Sequence, residues 1–175
     1  MKVALTTLGC KLNYAETSTY ERGFVAHGLE VVPWNQPADV FVINTCAVTE
    51  TAEKKSRNLM RRAHKLAPGA IIIVTGCYAQ LKKDKLYEIE GVTRVFGASE
   101  KSRVVSETLS MLRTGTVMPG SDDTVMPGSD DTVMPGSDRA SSETLPAFSS
   151  GERTRSFLKV QDGCNNFCAY CTVPF

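Results

Sequence analysis

Two short apolar runs, residues 39–44 (DVFVIN) and 70–75 (AIIIVT), restrict the fold more than anything else in the chain. Neither run alternates with polar residues, so neither reads as a strand with one face in water. Near-continuous apolar character belongs to strands covered on both faces, as in the middle of a parallel sheet flanked by helices. The residues between them read as a helix over about 49–67, broken by Pro68-Gly69. The pattern continues on both sides. Residues 2–8 form a strand, Asn13-x-x-Glu16 gives a capping-box-like start to a helix reaching about His27, and Gly28 stops it. A short strand at 29–32 and a turn at 33–37 follow. After Thr75 come a further helix, a short strand near 93–96 and a helix from Ser99 to about Arg113. Strand and helix alternate throughout, which makes the expected class α/β with a mainly parallel sheet.

The chain has 175 residues, 42% of them apolar, enough for one core plus short additional segments. Its longest uninterrupted aliphatic stretch, 70–74, is five residues, too short for a membrane-spanning helix or the core of a signal peptide. A soluble, cytoplasmic protein without a membrane partner is expected. Charge is uneven: residues 1–115 hold 16 Lys and Arg against 11 Asp and Glu, whereas residues 116–175 hold 4 against 8. On the helix at 49–67, Lys54, Lys55, Arg57, Arg61, Arg62 and Lys65 fall on the side opposite Ala52, Leu59, Met60, Ala63 and Leu66. Such an arc is an ordinary solvated helix face or a stripe that contacts RNA phosphates.

Residues 116–138 repeat with a period of eight: TVMPGSDD begins at Thr116 and again at Thr124, and TVMPGSD begins at Thr132. One Val and one Met per unit give too little apolar surface to offset chain ordering, so a flexible acidic linker is expected. The unit lacks the Gly-Gly-x-Gly-x-Asp pattern of a calcium-binding β-roll.

The six cysteines fall into two groups. Cys10, Cys46 and Cys77 each lie one or two residues beyond a predicted strand. A parallel sheet brings the carboxyl ends of its strands to one edge, so three thiols distant in sequence converge there. Thiolates at one point suit zinc or an iron–sulfur cluster. Asn13 and Asn44 are close enough in sequence to orient the site, or serve only as turn and cap residues. The second group, Cys164-x-x-x-Cys168-x-x-Cys171, follows the β-prone segment 157–160. Three thiolates at this spacing can hold a cubane cluster with one iron left open to a cofactor; zinc normally takes a fourth protein ligand, and neither His27 nor His64 is near in sequence.

The stretches Thr7-Leu-Gly-Cys10-Lys-Leu-Asn13, Asn44-Thr-Cys46-Ala-Val-Thr and Thr75-Gly-Cys77-Tyr-Ala-Gln80, together with the Cys164, Cys168, Cys171 spacing, resemble the radical S-adenosylmethionine methylthiotransferase family. The resemblance covers about residues 1–103 and 152–175. It implies a Rossmann- or flavodoxin-like amino-terminal domain over 1–103 that holds an auxiliary four-iron cluster through Cys10, Cys46 and Cys77. It implies a helix end and acidic linker over 104–151, and over 152–175 the first strand and cluster loop of a radical-SAM β/α barrel. There Cys164, Cys168 and Cys171 would hold a second four-iron cluster and Tyr170 would lie near the adenine of S-adenosylmethionine. The implied chemistry is reductive cleavage of that cofactor, hydrogen abstraction from a substrate carbon and insertion of a methylated sulfur from the auxiliary site. The sulfur source and electron donor are not implied.

Within the family, substrates are a ribosomal-protein aspartate or adenosine 37 in the anticodon loop of transfer RNA, carrying an isopentenyl or a threonylcarbamoyl group. Gly-Cys10-Lys-Leu-Asn13 and Lys159-Val-Gln-Asp-Gly-Cys164 look most like the threonylcarbamoyladenosine type. Family members continue past the cluster motif into a barrel, whereas this sequence ends at Phe175. A lone first barrel strand is therefore expected to be poorly ordered over 150–175.

Overall fold

The computed structural model describes residues 1–47, 49–114, 145–149 and 156–160. Five strands form one sheet: β1 (Lys2–Thr7), β2 (Glu30–Val31), β3 (Val40–Thr45), β4 (Ile71–Gly76) and β5 (Val92–Val95). Their order is β2-β1-β3-β4-β5 and every pair is parallel. The helices are α1 (Lys11–Ala26), α2 (Glu50–Leu66), α3 (Cys77–Leu81), α4 (Lys83–Tyr87) and α5 (Val104–Thr114), with a 3-10 turn over Ala98–Arg103.

Every residue of β3 and β4 is buried, and the alternation of their side chains explains why both runs are apolar throughout. Phe41, Ile43, Ile72 and Val74 face one way, into a core completed by Met60 and Ala63 of α2, Tyr78 and Ala79 of α3, and Leu86 of α4. Val40, Val42, Ile71 and Ile73 face the other way, onto Tyr20 and Phe24 of α1 and Val104 and Leu109 of α5. The result is a doubly wound three-layer α/β domain, as the sequence predicts. Its strand order reverses direction between β1 and β3, the crevice where open sheets of this kind bind ligands.

Local signals explain the element ends. Thr49 caps α2, its hydroxyl accepting from the Ala52 amide at 3.1 Å, with Glu50 and Glu53 in the first turn and His64 and Lys65 in the last. Three details differ from the sequence reading. The helix expected after Thr75 is two short ones, α3 and α4, and the helix expected from Ser99 is a 3-10 turn as far as Arg103 before α5 begins. The capping box at Asn13 is absent: α1 starts at Lys11 with Cys10 in the cap position, and Asn13 and Glu16 are both buried.

Of residues 150–175 only 156–160 are described. Leu158 bridges Phe148 in antiparallel sense, the Lys159 amide donates to the Ala147 carbonyl at 2.8 Å, and the Ser149 amide donates to the Phe157 carbonyl at 2.8 Å. The rest of the expected first barrel strand and cluster loop lies outside the described residues. The octapeptide repeat lies outside the described residues.

Gly76 ends β4 at φ +96°, and a Cβ there would be driven into the Thr45 carbonyl oxygen on the neighbouring strand. Gly76→Ala combines a left-handed backbone with a clash against main chain that cannot swing aside. It should cost at least about 2 kcal/mol of stability, read by urea denaturation; a loss within about 0.5 kcal/mol, typical of an unconstrained surface position, would contradict this geometry.

Candidate functional site

The register across the sheet brings three cysteine-bearing strand ends to one edge. Thr7 on β1 pairs with Asn44 on β3, and Asn44 pairs with Thr75 on β4. Cys10 lies three residues beyond Thr7, Cys46 two beyond Asn44 and Cys77 two beyond Thr75. All three leave the sheet at its carboxyl edge, two of them on either side of the β1/β3 switch point. Gly9, at φ +114°, lets the β1–α1 loop pass so close that a Cβ there would stand 2.9 Å from the Cβ of Cys46.

Asn13 and Asn44 tie this edge together. The Asn13 side-chain amide donates to the Leu8 carbonyl at 3.0 Å and to the Thr45 carbonyl at 2.9 Å, so one buried group holds the end of β1 against the end of β3. Its oxygen accepts from the Cys10 thiol at 3.5 Å. Asn44 donates to the Asn13 carbonyl at 3.0 Å and to Glu16 Oε2 at 3.3 Å. Both asparagines therefore position the site.

The electrostatics at Cys77 report the convergence. Burial against neighbouring protein raises its thiol pKa above the ordinary 9.0; Lys101 opposes this, while Cys46, Cys10 and Glu16 add to it. Cys77 is exposed by surface area, so its thiol is crowded on one side and open on the other. Lys101 is the nearby positive charge that favours thiolate. Sequence reasoning missed it, along with its partner Glu16. The available signal was a carboxylate at position 16, in helical step with Tyr20 and Phe24 on the buried stripe of α1.

Among the described residues, no three His, Cys, Asp or Glu side chains stand in a metal-ligating arrangement. The residues fit a thiolate-held group in donor identity: three free thiols lie at one edge of the sheet beside a lysine. Two buried polar atoms there, Asn44 Oδ1 and Thr75 Oγ1, have no hydrogen-bond partner among the described residues, and buried polar atoms normally have one. Cys164, Cys168, Cys171 and Tyr170 lie outside the described residues.

The basic face of α2 is real but not uniform. Lys54, Lys55, Arg61, Arg62 and Lys65 are exposed. Arg57 turns inward, donating to the Tyr78 hydroxyl at 3.0 Å and lying 3.6 Å from Glu53. A cleft of about 530 Å³ lies alongside, lined by Arg57, Arg61, His64, Lys65 and Lys85 together with Glu88 and Glu90. Among the described residues no helix is long and apolar enough to cross a membrane.

The fold is a doubly wound α/β domain with three cysteines at the carboxyl edge of its sheet. Residues 2–97 match Uncharacterized protein family UPF0004, and the chain belongs to that family. It is similar to the threonylcarbamoyladenosine tRNA methylthiotransferase MtaB of Bacillus subtilis, 38% identical over 99% of this chain and 36% of the relative. It is 37% identical to the MtaB of Aquifex aeolicus, over 100% of this chain and 40% of that protein. It is also 27% identical, over 99% of its length and 36% of the relative, to the tRNA-2-methylthio-N(6)-dimethylallyladenosine synthase of Chloroherpeton thalassium. The chain thus spans well under half the length of the relatives it matches.

In the metal-free chain, alkylation of Cys77 should show a pH midpoint above 9, because its surroundings favour the neutral thiol and thiolate appears only at higher pH. Lys101→Met removes the opposing positive charge and should move that midpoint further up. Mass-spectrometric alkylation profiles check both, and an unchanged midpoint in the variant would separate Lys101 from the site.

Proposed function

We propose that this chain is the cluster-bearing amino-terminal part of a transfer-RNA methylthiotransferase that adds a methylthio group to C2 of N6-threonylcarbamoyladenosine at position 37 of the anticodon loop, in the cytoplasm. The observation that carries the reading is the meeting of Cys10, Cys46 and Cys77 at the switch-point edge, in a chain whose relatives are named methylthiotransferases. The preference for threonylcarbamoyladenosine over dimethylallyladenosine is supported by 38% and 37% identity to relatives named for the first against 27% to one named for the second.

In this reading Cys10, Cys46 and Cys77 hold an auxiliary four-iron cluster, while Cys164, Cys168 and Cys171 hold a second beside which Tyr170 contacts S-adenosylmethionine. When bound, these groups supply radical generation and sulfur. The protein's own residues have simpler tasks. Asn13 and Asn44 fix the loop ends so that the thiols face one point. Lys101 offsets part of the negative charge that three thiolates bring to one place. Thr75 and Asn44 offer unspent hydrogen-bonding capacity beneath that point.

The exposed bases of α2 fit backbone contacts to the RNA, which position a substrate without reading its sequence. Arg61→Glu with Lys65→Glu should weaken binding of an anticodon stem-loop RNA about tenfold and lower the slope of affinity against salt by about two, one for each lost phosphate contact. Equal affinity and slope would leave the arc as a solvated face.

The catalytic reading is tested with a chimera in which this chain replaces the matched part of the Bacillus subtilis relative, expressed in a host lacking that enzyme. The chimera should restore the methylthio nucleoside in bulk tRNA. Alanine at Cys10, Cys46 and Cys77 should reduce it by more than about a hundredfold, since loss of ligands exceeds the 10–100-fold effect of changes around them. A soluble chimera whose triple variant retains the modification would remove these cysteines from the reaction.

A further inference from the structure

Glu16 is fully buried, and two lysines distant in sequence reach its carboxylate. Lys101, on the 3-10 turn, sets Nζ 2.9 Å from Oε1, and Lys159, in the segment 156–160, sets Nζ 3.3 Å from the same oxygen. Side-chain exposure is 0% for Glu16, 9% for Lys101 and 1% for Lys159. An isolated carboxylate or ammonium is costly to withdraw from water. Both ammonium groups share one oxygen of the Glu16 carboxylate, and Asn44 donates to the other.

The segment that delivers Lys159 is also hydrogen-bonded to residues 147–149, and Phe148 is held to Arg22 and Thr19 of α1. The Phe157 ring meets Tyr14 edge-on with centroids 6.4 Å apart, and the Lys11 ammonium lies 5.4 Å from the same ring. Leu158 and Val160 point outward, 71% and 88% exposed. The inward face of this strand is therefore one aromatic ring and one buried charge.

We propose that Glu16, Lys101 and Lys159 form a buried three-charge clasp that docks residues 156–160 on α1. Lys159 is a positioning residue. Lys101 belongs to both arrangements, pairing with Glu16 while its field acts on Cys77. The clasp requires no bound group, so it stands or falls separately from the cluster reading: absent iron with an intact clasp would count against that reading alone.

The test uses the full 175-residue chain, metal-free and reduced, as the unmodified protein and as Lys159→Met and Lys159→Arg. Removing Lys159 leaves the Glu16–Lys101 pair in place, so the domain should fold in both variants. Hydrogen exchange at the Phe157 and Lys159 amides, which donate to Ser149 Oγ and the Ala147 carbonyl, should accelerate at least about tenfold in Lys159→Met while β3 and β4 amides keep their rates. Lys159→Arg, which keeps the charge, should retain most of the protection. Unchanged exchange in Lys159→Met overturns the clasp, as does equal loss of protection in both variants, which would trace the docking to packing and not charge.

Discussion

Water reaches neither face of β3 and β4, and most of what this chain does follows from that. A strand buried on both sides must satisfy its backbone through parallel neighbours, and each parallel neighbour requires a crossover that lays a helix on one face or the other. The crossovers place α2, α3 and α4 on one side and α1 and α5 on the other. Every strand then points the same way, and the loops after β1, β3 and β4 emerge at one edge. Three cysteines separated by 36 and 31 positions in sequence are brought together by sheet register.

Convergence alone would leave an electrostatic problem. Burial holds the Cys77 thiol pKa above its ordinary value, and the neighbouring Cys46, Cys10 and Glu16 raise it further against the pull of Lys101. Two ammonium groups, those of Lys101 and Lys159, pair with that carboxylate under the same edge, which sets positive charge close to a ligand set that becomes anionic when it binds metal. Asn13 contributes differently: it carries no charge, yet it ties β1 and β3 together at their ends and so fixes the separation between the loops that bear Cys10 and Cys46.

Sequence patterns carried the architecture well because the signals were strong where the physics is strict. Continuous apolar runs announced β3 and β4, Pro68-Gly69 marked the end of α2, and cysteines placed just beyond strands located the site edge. Asn13-x-x-Glu16 misled for a physical reason: the same residue types that cap a helix from outside can be buried inside it when tertiary partners satisfy them, and Asn13 found those partners on β1 and β3. Lys101 and Lys159 were invisible because nothing local distinguishes a lysine that will be buried against a carboxylate 85 or 143 residues away from one that stays in water. The basic arc of α2 was legible as charge, but the inward turn of Arg57 depends on Tyr78, which only the fold brings alongside.

Tyr78 joins the two surfaces on which the functional reading depends. It follows Cys77 directly at the start of α3, yet it is 2% exposed and packs under α2 while Cys77 remains at the open edge. Its hydroxyl receives Arg57, which also lies beside Glu53, and Glu53 is held in turn by Lys82 at 2.7 Å. A short chain of contacts therefore fixes the basic face of α2 relative to the strand end that carries Cys77. Two adjacent residues with opposite exposures give the domain a rigid relation between the surface suited to a polyanion and the edge suited to a thiolate-bound group. That relation is what a substrate held by its backbone at one place and altered at another requires.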